Sequence, residues 1–552
     1  MCHIYILLVS LVFIACGSKD NSENDFSSAG ISIDSTEFEK HLAELSHDRY
    51  RGRMPGTEGG RETVAYLIDQ LEAYGVQPAL DGDYRQAVPL VEIDGQLQGP
   101  MTVSFDDGEI MSLEPRNDFV AVTERPVDSI GLDNSQLVFC GYGIVAPEND
   151  WNDYADVDLN GKTAVVLVND PGLGQEDEDF FKGNTMTYYG RWTYKYEEAD
   201  RQGLDGILLI HETNMAGYPW FVVKTGWSGP QLHIDQGQNM DDCGVKGWIH
   251  LEKAKELFER SGLDLSSLIK AARKPGFKPV EMGPKVSVAL KNELRYDTSH
   301  NVIGMLEGKD RPDENVVYTA HWDHLGVGDP VEGDSIYNGA LDNASGTATL
   351  LAIAQAMSAA DSLERTAVFC FVTAEEQGLL GSEWYANNPV LPLDKAVANI
   401  NLDAGNFLGR SKDLTIVGYG HSDLDQLAEF HAKKQDRYVQ NEQEPEKGFF
   451  FRSDHFNFAK KGVPALYAKG GYDHREKGVD YALKVRDEYV SQHYHQPSDE
   501  YDPDKWDLTG FVEDANLMLN IGLDLLKSDK WPRWSDDSEF KSLRSPVTDE
   551  LE

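Results

Sequence analysis

From about residue 295 the chain repeats one pattern. Short apolar runs, NVIGML, VVYTAHW, TAVFCFVT, AVANINLD, LTIVGYG and PALYAKG, alternate with the helix-length segments GTATLLAIAQAMSAA, GSEWYANN, SDLDQLAEFHAKKQ and SDHFNFAKKG. Continuous apolar runs, as opposed to alternating ones, suit strands buried on both faces. Strands separated by helices imply an α/β fold: a mostly parallel mixed sheet covered by helices on both sides. In such a sheet, ligands bind beyond the carboxyl ends of the strands. What stands at those ends is therefore the informative part of the sequence.

His321 and Asp323 follow VVYTA. Asp342 precedes NASG and the opening of a helix. Glu375 and Glu376 follow AVFCFVTA, Asp403 follows AVANINL, and His495 lies in SQHYHQPSDE. All are metal-ligand types. Zinc takes imidazole nitrogen and carboxylate oxygen, and a catalytic site keeps a position for water. Two zinc ions can share one carboxylate, so two histidines and three carboxylates suffice for a pair. One carboxylate of the adjacent glutamates is then left over to serve as a general base. A lone glutamate is ordinarily a solvated surface residue; two at the end of a buried strand, among these partners, are not.

HWDH, GALDNASG, TAEEQGLLGS, NLD and YHQPSD resemble, in order and spacing, the motifs of the M28 family of co-catalytic zinc peptidases. The early RGRMPGTEGG and the stretch from about 135 to 290 resemble that family's larger aminopeptidases, which carry a protease-associated domain. The likeness covers residues 36 to 527. It implies two Zn2+ per chain: His321 and Asp403 on one, Glu376 and His495 on the other, with Asp342 bridging through a cis bond to Asn343. It implies Glu375 as base and then acid, Asp323 as the carboxylate orienting His321, and Tyr494 beside the oxyanion. The activity implied is removal of N-terminal residues from peptides. A carboxypeptidase or dipeptidase shares the same metal core, and Arg410, Arg452 and Lys469 keep that polarity open. A metal-free receptor on the same scaffold would lack ligands, and none is missing. A glutaminyl cyclase would use a single zinc, which the complete two-metal set opposes.

Several residues invite misreading. His324 and His493 stand beside favoured ligands, yet the resemblance leaves both outside the metal shell. Ser453, Asp454 and His455 look like a hydrolytic triad in a row, but neighbours rarely converge and no GxSxG elbow exists. That stretch is expected to open a helix capped by Ser453 or Asp454. GYG at 141–143 and at 418–420 is expected to form turns.

A chain of 552 residues is long for one domain. The division expected is a signal peptide at 1–16, a tether at 17–30, the first part of a catalytic domain at 31–134, a β-rich insert at 135–290, the main catalytic part at 291–530, and a solvated acidic tail at 531–552. The apolar run from Ile4 to Ala15 is short for a membrane span and reads as an export signal. FIAC followed by polar residues resembles a bacterial lipoprotein signal, implying lipid anchoring through Cys16 and a periplasmic or cell-envelope location. The net charge of −44, from 94 acidic and 50 basic side chains, argues against nucleic acid as a partner. Cys140, Cys243 and Cys370 form no metal motif; Cys370 lies in an apolar strand, while Cys140 and Cys243 fall close enough in the chain to pair.

Overall fold

The computed structural model describes residues 31–544 apart from 178, 238 and 361. The expected export signal, Cys16 and the tether lie outside the described residues. Two helices open the fold, α1 (Ser35–Leu45) and α2 (Glu58–Ala73). Asp34 caps the first by accepting from the Thr36 N–H, and Thr57 caps the second through the Gly60 N–H.

The catalytic sheet follows from the apolar runs. Its strands are β1 (Arg85–Leu97), β2 (Val280–Leu306), β3 (Arg311–His321), β4 (Arg365–Val372), β5 (Ala396–Asn401), β6 (Asp413–Val417) and β7 (Ala465–Gly470). Spatially, β4, β3, β5 and β7 run parallel side by side, with β2 antiparallel on the β4 side and β6 antiparallel on the β7 side. Every residue of β4 and β5 is buried, as strands covered on both faces require. Helices α3 (Ser345–Ser358), α4 (Leu380–Asn387), α5 (Leu424–Lys434), α6 (Gly478–Gln492) and α7 (Thr509–Leu526) complete this half. Among them α6 has no counterpart in the strand and helix segments picked out from the sequence.

Residues 101–290 build a second apolar core, around Phe139, Val165, Leu209 and Trp248. Its centre is a parallel set, residues 129–139, 163–167, 206–211 and 245–250. No linker joins the two halves where a boundary near 290 was expected. Instead β2 is one 27-residue strand, paired with β1 from Leu290–Leu97 to Val302–Arg85.

One pairing left open by the sequence is settled, and one expectation fails. Cys140 and Cys243 are buried free thiols, each lying nearest a backbone carbonyl two residues away along its own chain segment. The acidic tail is not wholly solvated, because it packs on the catalytic half as far as Phe540. Trp534 and Phe540 are buried in a cluster with Phe450, Phe451 and Phe456, and the Trp534 indole N–H donates to the Gly462 carbonyl at 2.9 Å. Glu539 pairs with Lys182 of the insert at 3.0 Å. The anchoring aromatics outweigh the acidic composition around them. Trp534→Ala is expected to cost about 3 kcal/mol, the usual range for removing a buried large aromatic. Thermal melting checks this; an unchanged midpoint would restore the solvated tail.

Candidate metal centre

The parallel register brings the acidic residues together. His321 ends β3 opposite Val372 of β4, and Thr319 faces Asn401 of β5. The residues that follow each strand, Thr373–Glu376 and Leu402–Asp403, therefore open at one edge of the sheet. Ala374 takes a left-handed conformation (φ 54°) just before Glu375, which turns the chain sharply after β4. Asp342 sits on the loop before α3, joined to Asn343 by a cis peptide bond. Gly346, in the first turn of α3, has no room for a Cβ, which would fall 2.3 Å from the Leu402 carbonyl. A larger residue there would separate the Asp342 loop from the end of β5.

Asp342 lies at the middle. Its Oδ1 is 3.2 Å from His321 Nε2, and its Oδ2 is 3.3 Å from His495 Nε2. Asp403 Oδ1 is 3.7 Å and Glu375 Oε2 3.9 Å from the same His321 nitrogen. Glu376 Oε2 is 3.2 Å from His495 Nε2. Two sets of donor atoms fall within 4.8 Å of one another: His321, Glu375 and Asp403, and His321, Asp342 and Glu376. The structure thus brings together all five residues expected as ligands, and the expected base. Tyr494 stacks on His495 with ring centroids 3.9 Å apart.

Asp323 is fully buried beside this group. Its carbonyl oxygen, 3.2 Å from His321 Nδ1, is the nearer acceptor; its carboxylate Oδ1 is 3.8 Å away and accepts the Glu375 N–H at 3.1 Å. Either contact leaves Nδ1 protonated and Nε2 free to face the acids. His324 was set aside in the sequence, but it is buried and its Nδ1 lies 2.5 Å from Glu376 Oε1. Both oxygens of Glu376 are thereby engaged. The HWDH motif carried that signal. His493 instead meets Ser498 and faces solvent. Ser453 caps no helix: its hydroxyl donates to Asp403 Oδ2 at 2.5 Å. Asp454 makes no capping bond either, and His455 packs against Phe450 and Tyr467, so no triad forms.

Charge is the outstanding property of this pocket. Burial, together with the neighbouring Glu376 and Asp454 and against the pull of His321, drives the Glu375 carboxyl well above its usual range. Burial pushes Asp323 up to about 7. Burial also opposes ionisation of Glu376, but His495 and His324 outweigh it and hold that carboxyl at about 2. His321 is pulled down by burial and raised by more, chiefly by Glu375, to well above the usual imidazole value. His321 Nε2 and His495 Nε2 are buried, and their contacts are ion-pair approaches of 3.2–3.3 Å to carboxylate oxygens of Asp342 and Glu376. Buried carboxylates at this density, with imidazole nitrogens aimed among them, fit divalent cations of the nitrogen- and oxygen-binding kind.

Two further residues hold the loops in place, and neither was singled out from sequence. Asp499, in the quoted YHQPSD, accepts from the N–H groups of Leu341 and Asp342 and from the Tyr489 hydroxyl. Arg53 is buried under the site and donates to the carbonyls of Leu45, Trp322, Asn338 and Gly339 at 2.5–2.9 Å. It ties the HWDH loop to the Asp342 loop while placing a positive charge near Asp323, Asp499 and Asp342.

Against this geometry stand the comparisons with known proteins. Residues 301–519 match the model of Peptidase family M28, and this part of the chain is a domain of that family. Aminopeptidase NAALADL1 of Mus musculus is 34% identical over 142 residues, covering 24% of this chain and 18% of the relative. Probable glutamate carboxypeptidase LAMP1 of Arabidopsis thaliana is 35% identical over 270 residues, covering 43% and 37%. The matches therefore span well under half of those curated relatives. The solved aminopeptidase from Aneurinibacillus sp. strain AM-1 aligns over 90% of this chain and 95% of its own, at 19% identity and a TM-score of 0.48.

Arg53→Leu removes the donor from the buried carbonyls of Leu45, Trp322 and Asn338, while Gly339 keeps the Ala344 N–H, and is expected to cost about 3 kcal/mol. Thermal melting and retained zinc, measured together, should both fall; a variant as stable as the parent would show that water or the backbone satisfies those carbonyls.

Proposed function

We propose that the chain is an exported zinc exopeptidase, an aminopeptidase in the first instance, with a carboxypeptidase of the same family as the second reading. The observation that carries the hydrolytic reading is the split between adjacent glutamates. Glu376 has both oxygens occupied by His324 and His495, whereas the Glu375 carboxylate has no side-chain hydrogen bond and lies 3.9 Å from the same His321 nitrogen that Asp342 and Asp403 approach.

His321 and Asp403 would hold one ion, Glu376 and His495 the other, and Asp342 both. Bound zinc supplies Lewis acidity: it lowers the pKa of a water and polarises a carbonyl. The rest is the work of this chain. Glu375, buried and with a raised proton affinity, takes the proton of the attacking water and delivers it to the departing nitrogen. The hydrogen bond from the Glu375 N–H to Asp323 fixes the backbone from which that carboxylate projects. Ser453 fixes the Asp403 carboxylate, and Asp499 fixes the Asp342 loop. Tyr494, partly exposed beside His495, is placed to donate to a developing oxyanion. The insert is read as a protease-associated domain and the leader as a lipoprotein signal on the sequence likeness alone.

Glu375→Gln should retain metal, because its carboxylate is not among the assigned ligands, and should lower kcat by about 10²–10⁴-fold. Near-normal turnover with full metal content would remove Glu375 from the role of base. Cleavage of aminoacyl-nitroanilides against N-blocked peptides separates the two readings of polarity.

A further inference from the structure

The insert is tied to the catalytic half in two ways of different kind. On one side β2 runs from the insert into the catalytic sheet without a break, paired with β1, and residues 230–234 extend that ribbon by pairing with residues 90–94. This attachment is continuous backbone. On the other side the insert segment from Lys182 to Tyr188 rests on catalytic residues 445–456. Side chains hold it there, with one backbone hydrogen bond from the Met186 N–H to the Pro445 carbonyl at 3.1 Å.

A third segment closes this second attachment, and it comes from the far end of the chain. The Glu539 side chain is 7% exposed. Its Oε2 lies 3.0 Å from Lys182 Nζ, and its Oε1 accepts the Tyr188 N–H at 3.3 Å. Each oxygen therefore holds a different residue of the insert segment. Tyr188 is gripped further through its ring, which packs on Phe451 and Phe456 with centroids 6.0 and 4.9 Å away. Its hydroxyl donates to Glu197, which pairs with Lys460 of the catalytic half at 3.4 Å. The strap that carries Glu539 is itself seated in the catalytic half. Phe540 packs on Phe450 and Phe456, and the Ser535 N–H donates to the His421 carbonyl at 2.8 Å. Burial opposes ionisation of Glu539, but Lys182 and His421 outweigh it and hold its carboxyl at about 2, so the pair with Lys182 stays charged at neutral pH.

The two attachments fail differently. Releasing the ribbon means breaking a β-ladder, whereas neutralising one member of a buried ion pair strands the other charge and forces its surroundings apart. A body held by continuous backbone at one edge and by side chains at the other is hinged at the backbone. The seam held by the side chains ends at the metal centre, because Phe451 lies two residues before Ser453, which bonds Asp403. The strap falls beyond residues 301–519, which match the family model.

We infer that residues 534–540 are a latch between the two halves, with Glu539 as its positioning residue, and that a peptide extending from the metal centre along this seam is held only while the latch is shut. The second clause rests on the peptidase reading; the latch itself does not.

The test compares the full zinc-loaded chain with Lys182→Met, Glu539→Gln and the double variant. Hydrogen exchange read by mass spectrometry should show residues 182–191 exchanging about 10- to 100-fold faster in each single variant, with β3, β4 and β5 unchanged. The double variant leaves no charge stranded, and its exchange should return most of the way to the parent's. Single variants that exchange like the parent overturn the latch. So does faster exchange throughout the sheet, which marks general loosening, and so does a double variant faster than either single. Should Lys182→Met fail to fold, Glu539→Gln against the double variant decides by the same criteria. For the second clause, Ala-Ala and Ala-Ala-Ala-Ala are compared as substrates. Glu539→Gln should raise KM for the tetrapeptide about 10-fold while kcat, and both constants for the dipeptide, stay within about threefold. An equal loss on both peptides, or no loss on either, overturns the link to longer substrates. A loaded parent that cleaves neither overturns the peptidase reading, and hydrogen exchange still decides the latch.

Discussion

The carboxylate of Asp342, with one oxygen toward His321 and the other toward His495, is the contact on which the rest of the site is organised. It brings together residues more than 150 positions apart in the chain, and it does so in a pocket where acids outnumber bases. Left to themselves these carboxylates would repel one another or take up protons. The fold keeps them together by means that do not use the site's own donor atoms. Asp499 grips the backbone of the Asp342 loop, Arg53 stitches that loop to HWDH from below, and the parallel register of β3, β4 and β5 sets the remaining residues at one edge. The scaffold thus bears a strain of like charge that divalent cations would relieve.

Much of this was legible because buried parallel strands write themselves as unbroken apolar runs, and a polar residue ending such a run stands out. TAVFCFVT followed by two glutamates could hardly be read otherwise. His324 was equally visible in HWDH but was set aside, since sequence spacing does not reveal that its ring turns toward Glu376. Asp499 stood at the end of the quoted YHQPSD for the same reason. Arg53 was illegible: its partners are carbonyls, which every residue possesses. Helix α6 buries only Ala482 among its side chains, so it carries no apolar stripe to betray it.

The division into two halves was harder to place. Composition changes near 135 and 290, but the backbone does not change state at the second point, because β2 continues through it against β1. This ribbon, with the packing of Met186 and Tyr188 on residues 445–456 and the ion pair of Lys182 with Glu539, seats the insert on the catalytic half.

The central claim is that Asp342 serves both metal positions at once. Zinc per chain, measured by mass spectrometry on the parent, Asp342→Asn and Asp403→Asn proteins, tests it most directly. The account predicts about two ions in the parent, loss of both from Asp342→Asn, and about one retained by Asp403→Asn. Two ions persisting in Asp342→Asn would contradict it.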